Sequence, residues 1–570
     1  MAPVFLVVKH QGKKYDVEVD TESVGEVFKY QLFSLTGVEP ERQKILLKGG
    51  QLKDDADMGK LGLKPGQVIM MMGTPGDGGG AIVRPTEKVK FVEDMTEAEA
   101  AQQVGATPAG LVNLGNTCYL NSTLQTLRSI PELQDALGKY EFHSTSAADP
   151  PIPQLDLTNQ LKDLYKGMSK TQEGMPPFNF LNALRIAFPQ FAERAKNGHG
   201  YAQQDAEEAW SQIVNQLQQK LQLPVGPESG SGSRNSSFIN QYMAGQFTTV
   251  LECDDPAALQ AGEEPTTSKE SFLKLNCHID GQTNHLRDGI LNGLTEKIEK
   301  KSEALDRETI YTKKSKISRL PRYLTVHFVR FFWKREVQKK AKIMRKVVFP
   351  HELDAVEFCT DELRAALVPV RDKVREVRKD EEDIDRARKR RKKNISDVGD
   401  SFDDKKDDKK KKDDKKKKDD KKAGGSTSAD GDVEMGDTEV YKTDAEFEAE
   451  QDAALLAAKK ELYAVIDPEL RKDEGASQSG LYELRGVVTH QGASADSGHY
   501  TAYVKKTGPR DPKTGKIGEE DGNWWWFNDD KVSEVTPDKI DALAGGGESH
   551  SALILLYRDI PLPSAEGLMK

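Results

Sequence analysis

Between Asp403 and Lys422 the chain contains nothing but aspartate and lysine. Such a block has no apolar side chains to offset the entropy of ordering its backbone, so no core can run through it. Charge also dominates from Arg371 to Lys393. The stretch 371–440 is therefore expected to be a low-complexity insertion, either disordered or a fraying, solvated helix. Its RARKRRKK segment reads as a tolerated surface feature more readily than as a nuclear-import signal or a tail for an acidic partner. Apolar periodicity resumes at 445–466 as a helix and continues as strands to Ile560. The folded unit that the tract interrupts must close again behind it.

A chain of 570 residues exceeds one compact domain. Residues 1–73 read as a separate unit. Val4 to Lys9 is an apolar strand, Gly12 marks a turn, and Tyr15, Val17 and Val19 alternate as a second strand. A helix is expected from Ser23, with Val24, Phe28, Leu32 and Leu35 on one face and Gly37 as its cap. Ile45–Leu47, a Gly49-Gly50 turn, Leu61–Leu63 and Val68–Met72 complete it. A Gly/Pro-rich, then acidic, linker follows over 74–105, and the second domain spans 106–562 around the insertion.

A net charge of −10 argues against a general nucleic-acid binder. No apolar run approaches the roughly 20 residues that span a bilayer, and the apolar start has no basic segment before it, so it reads as a strand and not a signal peptide. The four cysteines form no CxxC pair, which points to free thiols in a reducing compartment. The expectation is a soluble, intracellular protein without a membrane partner.

Chemistry concentrates in three boxes. In Leu111-Val-Asn-Leu-Gly-Asn-Thr-Cys-Tyr-Leu-Asn121, apolar Leu120, Leu124 and Leu127 recur at helical spacing, which puts Cys118 in the first turn of a helix. There, backbone N–H groups and the helix dipole favour the thiolate. Gly115-Asn116 permits a tight approach, and Asn113 can offer its amide to a developing oxyanion. A lone cysteine is more often a small buried hydrophobe, but Gly, Asn and Thr around this one are poor core formers. Among ten histidines, His499 stands at the start of a strand after a flexible Gly498. His327 within a strand reads as structural, as do Cys277 and His278, and neither a metal nor a cofactor is implied. In Trp524-Trp-Trp-Phe-Asn-Asp-Asp530, Asn528 or Asp529 could accept the second imidazole N–H.

Together, and in this order, the Cys, GHYTAY and WWWFNDD boxes resemble the three signatures of ubiquitin-specific proteases. The resemblance implies an α+β chain: a β-grasp (ubiquitin-like) head joined to a papain-like catalytic domain with an open, finger-like sheet. It makes Cys118 the nucleophile, His499 the general base, Asn528 the third member with Asp529 sharing that role, and Asn113 part of the oxyanion hole. Gln203-Gln-Asp-Ala-Glu-Glu208 resembles the family motif beside the ubiquitin tail, where Asp205 and Glu208 would pair with arginines. Taken alone, the same acidic helix start reads as capping. Arg330–Lys334, with Phe331 and Trp333, and Gly492–Gly498, with Ser497, match two loops that flank the cleft and touch ubiquitin. In the proteasome-associated subgroup, to which the ubiquitin-like head points, such loops cover the cleft of the free enzyme.

The first unit is similar to ubiquitin but runs on as GTPGDGGG where ubiquitin ends in Arg-Gly-Gly. It is therefore expected to dock, on the proteasome's regulatory particle, and not to be conjugated. The implied activity is hydrolysis of isopeptide bonds after ubiquitin's terminal glycine, in cytoplasm and nucleus. The rivals are a non-cleaving ubiquitin adapter and a protease for another ubiquitin-like modifier. The CxxC zinc pairs of many relatives are missing, and Cys253 and Cys277 read as remnants.

Overall fold

The computed structural model describes residues 4–21, 23–47, 50–73, 95–101, 105–142, 153–195, 200–223, 237–334, 339–400, 444–494, 497–508 and 518–564. They divide into two units, Met1–Met95 and Thr96–Lys570.

In the first unit, strands β1 (Val4–His10), β2 (Lys13–Val19), β3 (Lys44–Leu47), β4 (Gly50–Gln51) and β5 (Val68–Met72) form a sheet in the order β2-β1-β5-β3-β4. β1 and β5 pair in parallel. This central parallel pair, with one helix packed on one face, is the β-grasp. Period-two alternation places Leu6, Val8, Ile45, Ile69 and Met71 in the core against Phe28 and Leu32 of the helix Gly25–Thr36. Gly37 ends that helix in the left-handed region, its N–H bonded to the Phe33 carbonyl at 2.8 Å. Val24 and Leu35 do not share the buried face: both are exposed. Val24 is an extended residue just ahead of the helix, and Leu35 turns to solvent in its last turn.

In the second unit a long sheet runs β18 (Lys531–Val535), β17 (Trp524–Asn528), β16 (Ser497–Lys505), β15 (Leu481–Ser494), β19 (Ser551–Asp559), β11 (Tyr323–Val329), β8 (Leu275–His278), with β14 (Glu352–Asp354) added against β15. Helices Cys118–Arg128, Leu157–Met168, Phe178–Ala187 and Ala206–Lys220 join one core with Val488, Tyr500, Ile554 and Leu556 of that sheet. A separate four-stranded sheet, β7 (Thr266–Phe272), β6 (Gly245–Cys253), β10 (Glu308–Arg319) and β9 (Thr295–Lys301), forms the finger-like element. Cys253 and Cys277 are buried in different clusters.

Two expectations are corrected. The segment Glu97–Ala101 is helical, and the Ala100 carbonyl accepts from Gln172 Nε2 at 3.0 Å, so chain from Thr96 onward belongs to the second unit and not to a linker. The charged stretch after Arg371 is also not a solvated insertion throughout. Helix Asp361–Asp400 lies antiparallel to helix Asp444–Val465, burying Val370, Val374 and Val377 against Leu462 and Ile466. Ion pairs Lys373–Glu461 at 2.9 Å and Arg388–Asp452 at 2.9 Å line the seam. A valine recurring every three or four residues among charges is enough for a narrow seam when a partner helix covers it. The Asp/Lys tract 403–422 lies outside the described residues.

Candidate active site

Cys118 opens its helix, with Thr117 at the cap position, and is 3% exposed. The loop before it is shaped by Asn113, whose Oδ1 accepts from the backbone N–H groups of Gly115 at 2.9 Å and Thr117 at 3.3 Å. Asn116 adopts a left-handed φ of 55° and donates through Nδ2 to the Tyr201 carbonyl at 3.0 Å. Asparagine tolerates that conformation better than most residues. Its neighbour Gly115, with φ 96°, needs no side chain at all.

His499 lies on β16, and its Nε2 meets Asn528 Oδ1 at 2.5 Å. With Nε2–H donating to the amide oxygen, Nδ1 keeps its lone pair. Asp529 does not share this role. It follows β17 with a left-handed φ of 54°, which turns its side chain away from the imidazole. Its carboxylate accepts from Asn113 Nδ2 at 3.0 Å and Asn121 Nδ2 at 2.8 Å, and its carbonyl accepts from the Leu111 N–H at 2.9 Å. The WWWFNDD turn therefore serves two elements, orienting the imidazole with one residue and the Cys118 loop with the next.

The thiol is not activated in this conformation, contrary to the expectation from its helix position. Burial pushes Cys118 up to about 11, and the Asp529 charge adds to that. The backbone amides of Tyr500, Tyr119 and Cys118 oppose it without prevailing. Among the described residues no hydrogen bond joins the thiol to His499. Instead the Gln203 amide spans the gap, with Nε2 at 3.9 Å from Cys118 Sγ and 3.1 Å from the Gly498 carbonyl.

Asp205 caps helix Ala206–Lys220, accepting from the Glu207 N–H at 2.9 Å, and Glu208 is half-buried in its first turn. Arg330 is buried and no part of an open loop. The segment after it is a hairpin of β12 (Phe331–Lys334) and β13 (Lys339–Lys342). Phe331 is half-buried, its ring edge-on to His490 with centroids 5.2 Å apart. The Trp333 side chain lies outside what the structure describes. Ser497 is exposed at the start of β16, and Gly492 and Gly498 have φ of 120° and 139°.

Sequence reading missed Gln203, Asn121 and His490 as parts of the site. Asn121 had a signal, since a polar residue three positions after Cys118 shares that residue's helix face. Gln203 opens the motif read as lying beside the ubiquitin tail, but its place next to the thiol had no signal, nor had His490, because only the fold brings them there.

A cysteine at the start of a helix packed on a sheet that carries an asparagine-bonded histidine is the architecture of a papain-like cysteine hydrolase. Residues 109–557 match the family described as ubiquitin carboxyl-terminal hydrolase, and residues 6–76 match the ubiquitin family. The chain is 42% identical over 553 residues to ubiquitin carboxyl-terminal hydrolase 6 of Schizosaccharomyces pombe, covering 97% of this chain and 98% of that one. Identity is 37% over 555 residues to ubiquitin carboxyl-terminal hydrolase 7 of Arabidopsis thaliana, covering 97% and 98%. It is 32% over 551 residues to ubiquitin carboxyl-terminal hydrolase 14 of Caenorhabditis elegans, covering 96% and 92%. The chain belongs to the ubiquitin carboxyl-terminal hydrolase family: it is a cysteine-type deubiquitinating enzyme with a ubiquitin-like unit ahead of its catalytic unit.

Proposed function

We propose that Cys118 is the nucleophile of this deubiquitinase, His499 its general base and Asn528 the residue that orients the base. The carrying observation is the 2.5 Å contact between His499 Nε2 and Asn528 Oδ1, which leaves Nδ1 to take the thiol proton. The sulfur attacks the carbonyl of ubiquitin's last glycine, and the substrate lysine leaves as an amine, protonated by the imidazolium. Water then hydrolyses the thioester. Asn113, held by Asp529, and backbone N–H groups at the Cys118 helix start receive the oxyanion. Asp205 and Glu208 line the path of the basic ubiquitin tail, and Phe331, Trp333 and Ser497 contact ubiquitin from the flanking hairpins. The test is labelling with ubiquitin that carries a C-terminal electrophile. The parent forms a covalent adduct and Cys118→Ala forms none. An adduct on the variant overturns the assignment.

The ubiquitin-like unit is proposed to dock on the proteasome's regulatory particle, in cytoplasm and nucleus. What supports this is the sheet face turned away from its helix. Leu46 pairs with Met70 across β3 and β5, Val68 pairs with Val7, and exposed Lys9 and Lys44 border them. An apolar patch with a basic rim on so small a unit fits a docking surface. Tethering would raise the effective concentration of the catalytic unit at arriving ubiquitin chains. Deleting residues 1–73 should abolish co-purification with the proteasome. Undiminished association refutes the docking role.

A further inference from the structure

His490 is fully buried on β15, yet neither ring nitrogen makes a hydrogen bond among the described residues. A buried polar ring left unpaired is unfavourable, and a phenylalanine would fill the space without that penalty. The position of the ring suggests why a polar one is kept. On one side it packs against Tyr500, centroids 4.6 Å apart, and on another against the Phe331 ring of the β12–β13 hairpin. The hairpin is fastened at the same residue, because Lys342 Nζ donates to the His490 carbonyl at 2.6 Å. On the third side lies the backbone that carries the base. Gln491 pairs with His499 across the strands, and a Cβ placed on Gly498 would come within 2.6 Å of His490 Nε2. The Ser497 carbonyl favours a proton on the ring but closes no hydrogen bond with it.

We propose that His490 is a positioning residue, wedged between the β12–β13 hairpin and the Ser497–His499 backbone, that sets where the base stands relative to Cys118. The inference rests on the reading of Cys118 and His499 as nucleophile and base. In the described conformation the thiol and imidazole are unbonded and the ring nitrogens of His490 are unpaired. A small shift of the Ser497–Gly498 backbone that closes a bond to His490 would carry His499 with it. The hairpin proposed to contact ubiquitin is packed against the same ring, where it can bias that displacement. Glycine suits position 498, where φ is 139° and a side chain would strike the Gln491 carbonyl first and the imidazole next.

The titratable groups around His490 are Lys342 on β13, Tyr500 and His499 on β16, and His550 ahead of β19. Burial holds His490 down at about 3, so it stays neutral throughout the working range. The ring acts by shape and hydrogen bonding, without charge.

The experiment compares His490→Phe and His490→Asn with the parent on a fluorogenic ubiquitin amide. His490→Phe should keep its melting temperature and its KM within about twofold, lose about tenfold or more in kcat, and move the acid limb of the kcat/KM profile. His490→Asn, which restores a donor and an acceptor, should recover part of the loss. Parental kcat and pH profile in His490→Phe overturn the proposal, as does an Asn variant no better than Phe. If His490→Phe does not fold, His490→Leu takes its place: a loss of about tenfold in kcat at unchanged KM supports the proposal and parental kcat overturns it. Failure of the underlying site is read separately, as turnover by Cys118→Ala.

Discussion

Asp529 is bonded to Asn113, not to His499: its Oδ2 accepts from Asn113 Nδ2 at 3.0 Å, while Asn528 meets the imidazole. Two adjacent residues with similar side chains thus take partners on opposite sides of the proposed site. The amide fixes the tautomer of the base, and the carboxylate holds the amide proposed for the oxyanion.

This division separates their mutants. Asn528→Asp retains an acceptor for the imidazole N–H and should keep substantial activity. Asn528→Ala should lower kcat roughly 10- to 1,000-fold with little change in KM, the pattern of a group that acts in the transition state. Asp529→Ala should also lower kcat, through a mispositioned Asn113, and Asn113→Ala added to it should cost little more, because both remove one device. Steady-state kinetics check this, and additive losses in the double variant contradict the shared device.

The buried thiol predicts slow chemistry with small reagents. Raised to about 11 from the ordinary 9.0, Cys118 is almost wholly protonated near neutral pH. At pH 8 its thiolate fraction is smaller than that of an ordinary thiol by a factor of roughly 100. Alkylation of Cys118 by iodoacetamide in the free enzyme should be slower than that of an exposed model thiol by that order, and still rising with pH beyond 9. A rate that levels off below pH 8 contradicts the geometry.

Arg330 predicts a structural loss. Its guanidinium donates to the carbonyls of Ala552 at 2.9 Å, Arg345 at 2.9 Å, Ile343 at 3.2 Å and Ala544 at 3.2 Å, tying the root of the β12–β13 hairpin to β19. Arg330→Met removes all four of these bonds, leaving the Ala544 carbonyl only the Val347 N–H, and should destabilise the catalytic unit by about 2–4 kcal/mol. Arg330→Lys should not restore it, because a single ammonium cannot reach four carbonyls in different directions. Urea unfolding at unchanged m is the measurement.

Asp559 predicts a pH dependence of stability. It lies half-buried on β19, 3.5 Å from Arg322 Nε. Burial raises its carboxyl from 3.8 to about 6, while Arg322 and Arg558 oppose the rise and Glu132 adds to it. The folded chain thus holds this proton more tightly than the unfolded one, so the group's contribution is complete below 3.8 and is lost as pH rises through about 6. Asp559→Asn keeps the size of the side chain and cannot ionise. It should gain on the parent between pH 4 and 7 by on the order of 1–2 kcal/mol, seen as a growing difference in melting temperature. A difference that stays flat over that range contradicts the sign.

Much of this protein was legible from local pattern. Alternation in β1 and β5, the periodic leucines behind Cys118 and the Gly37 cap are each satisfied within one element, so a few adjacent residues suffice to read them. Helix Asp361–Asp400 was misread for the opposite reason. Its charge is local, but its seam of Val370, Val374 and Val377 is stabilising only against Leu462, across the Asp/Lys tract. The activation of Cys118 failed on the same ground: helix position is written in the sequence, whereas burial belongs to the whole fold.

Spacing and backbone preference act over a few residues, so the two folded units, the helix that begins at Cys118 and the places of His499 and Asn528 near strand ends could all be read along the chain. Which partner each polar group takes was set by the packing of distant segments. It sent Asn528 to His499 and Asp529 to Asn113, put Gln203 between thiol and base, and seated His490 under Gly498. Those choices depend on directions and distances between segments hundreds of residues apart, which hydrogen bonds and desolvation weigh and local propensity does not.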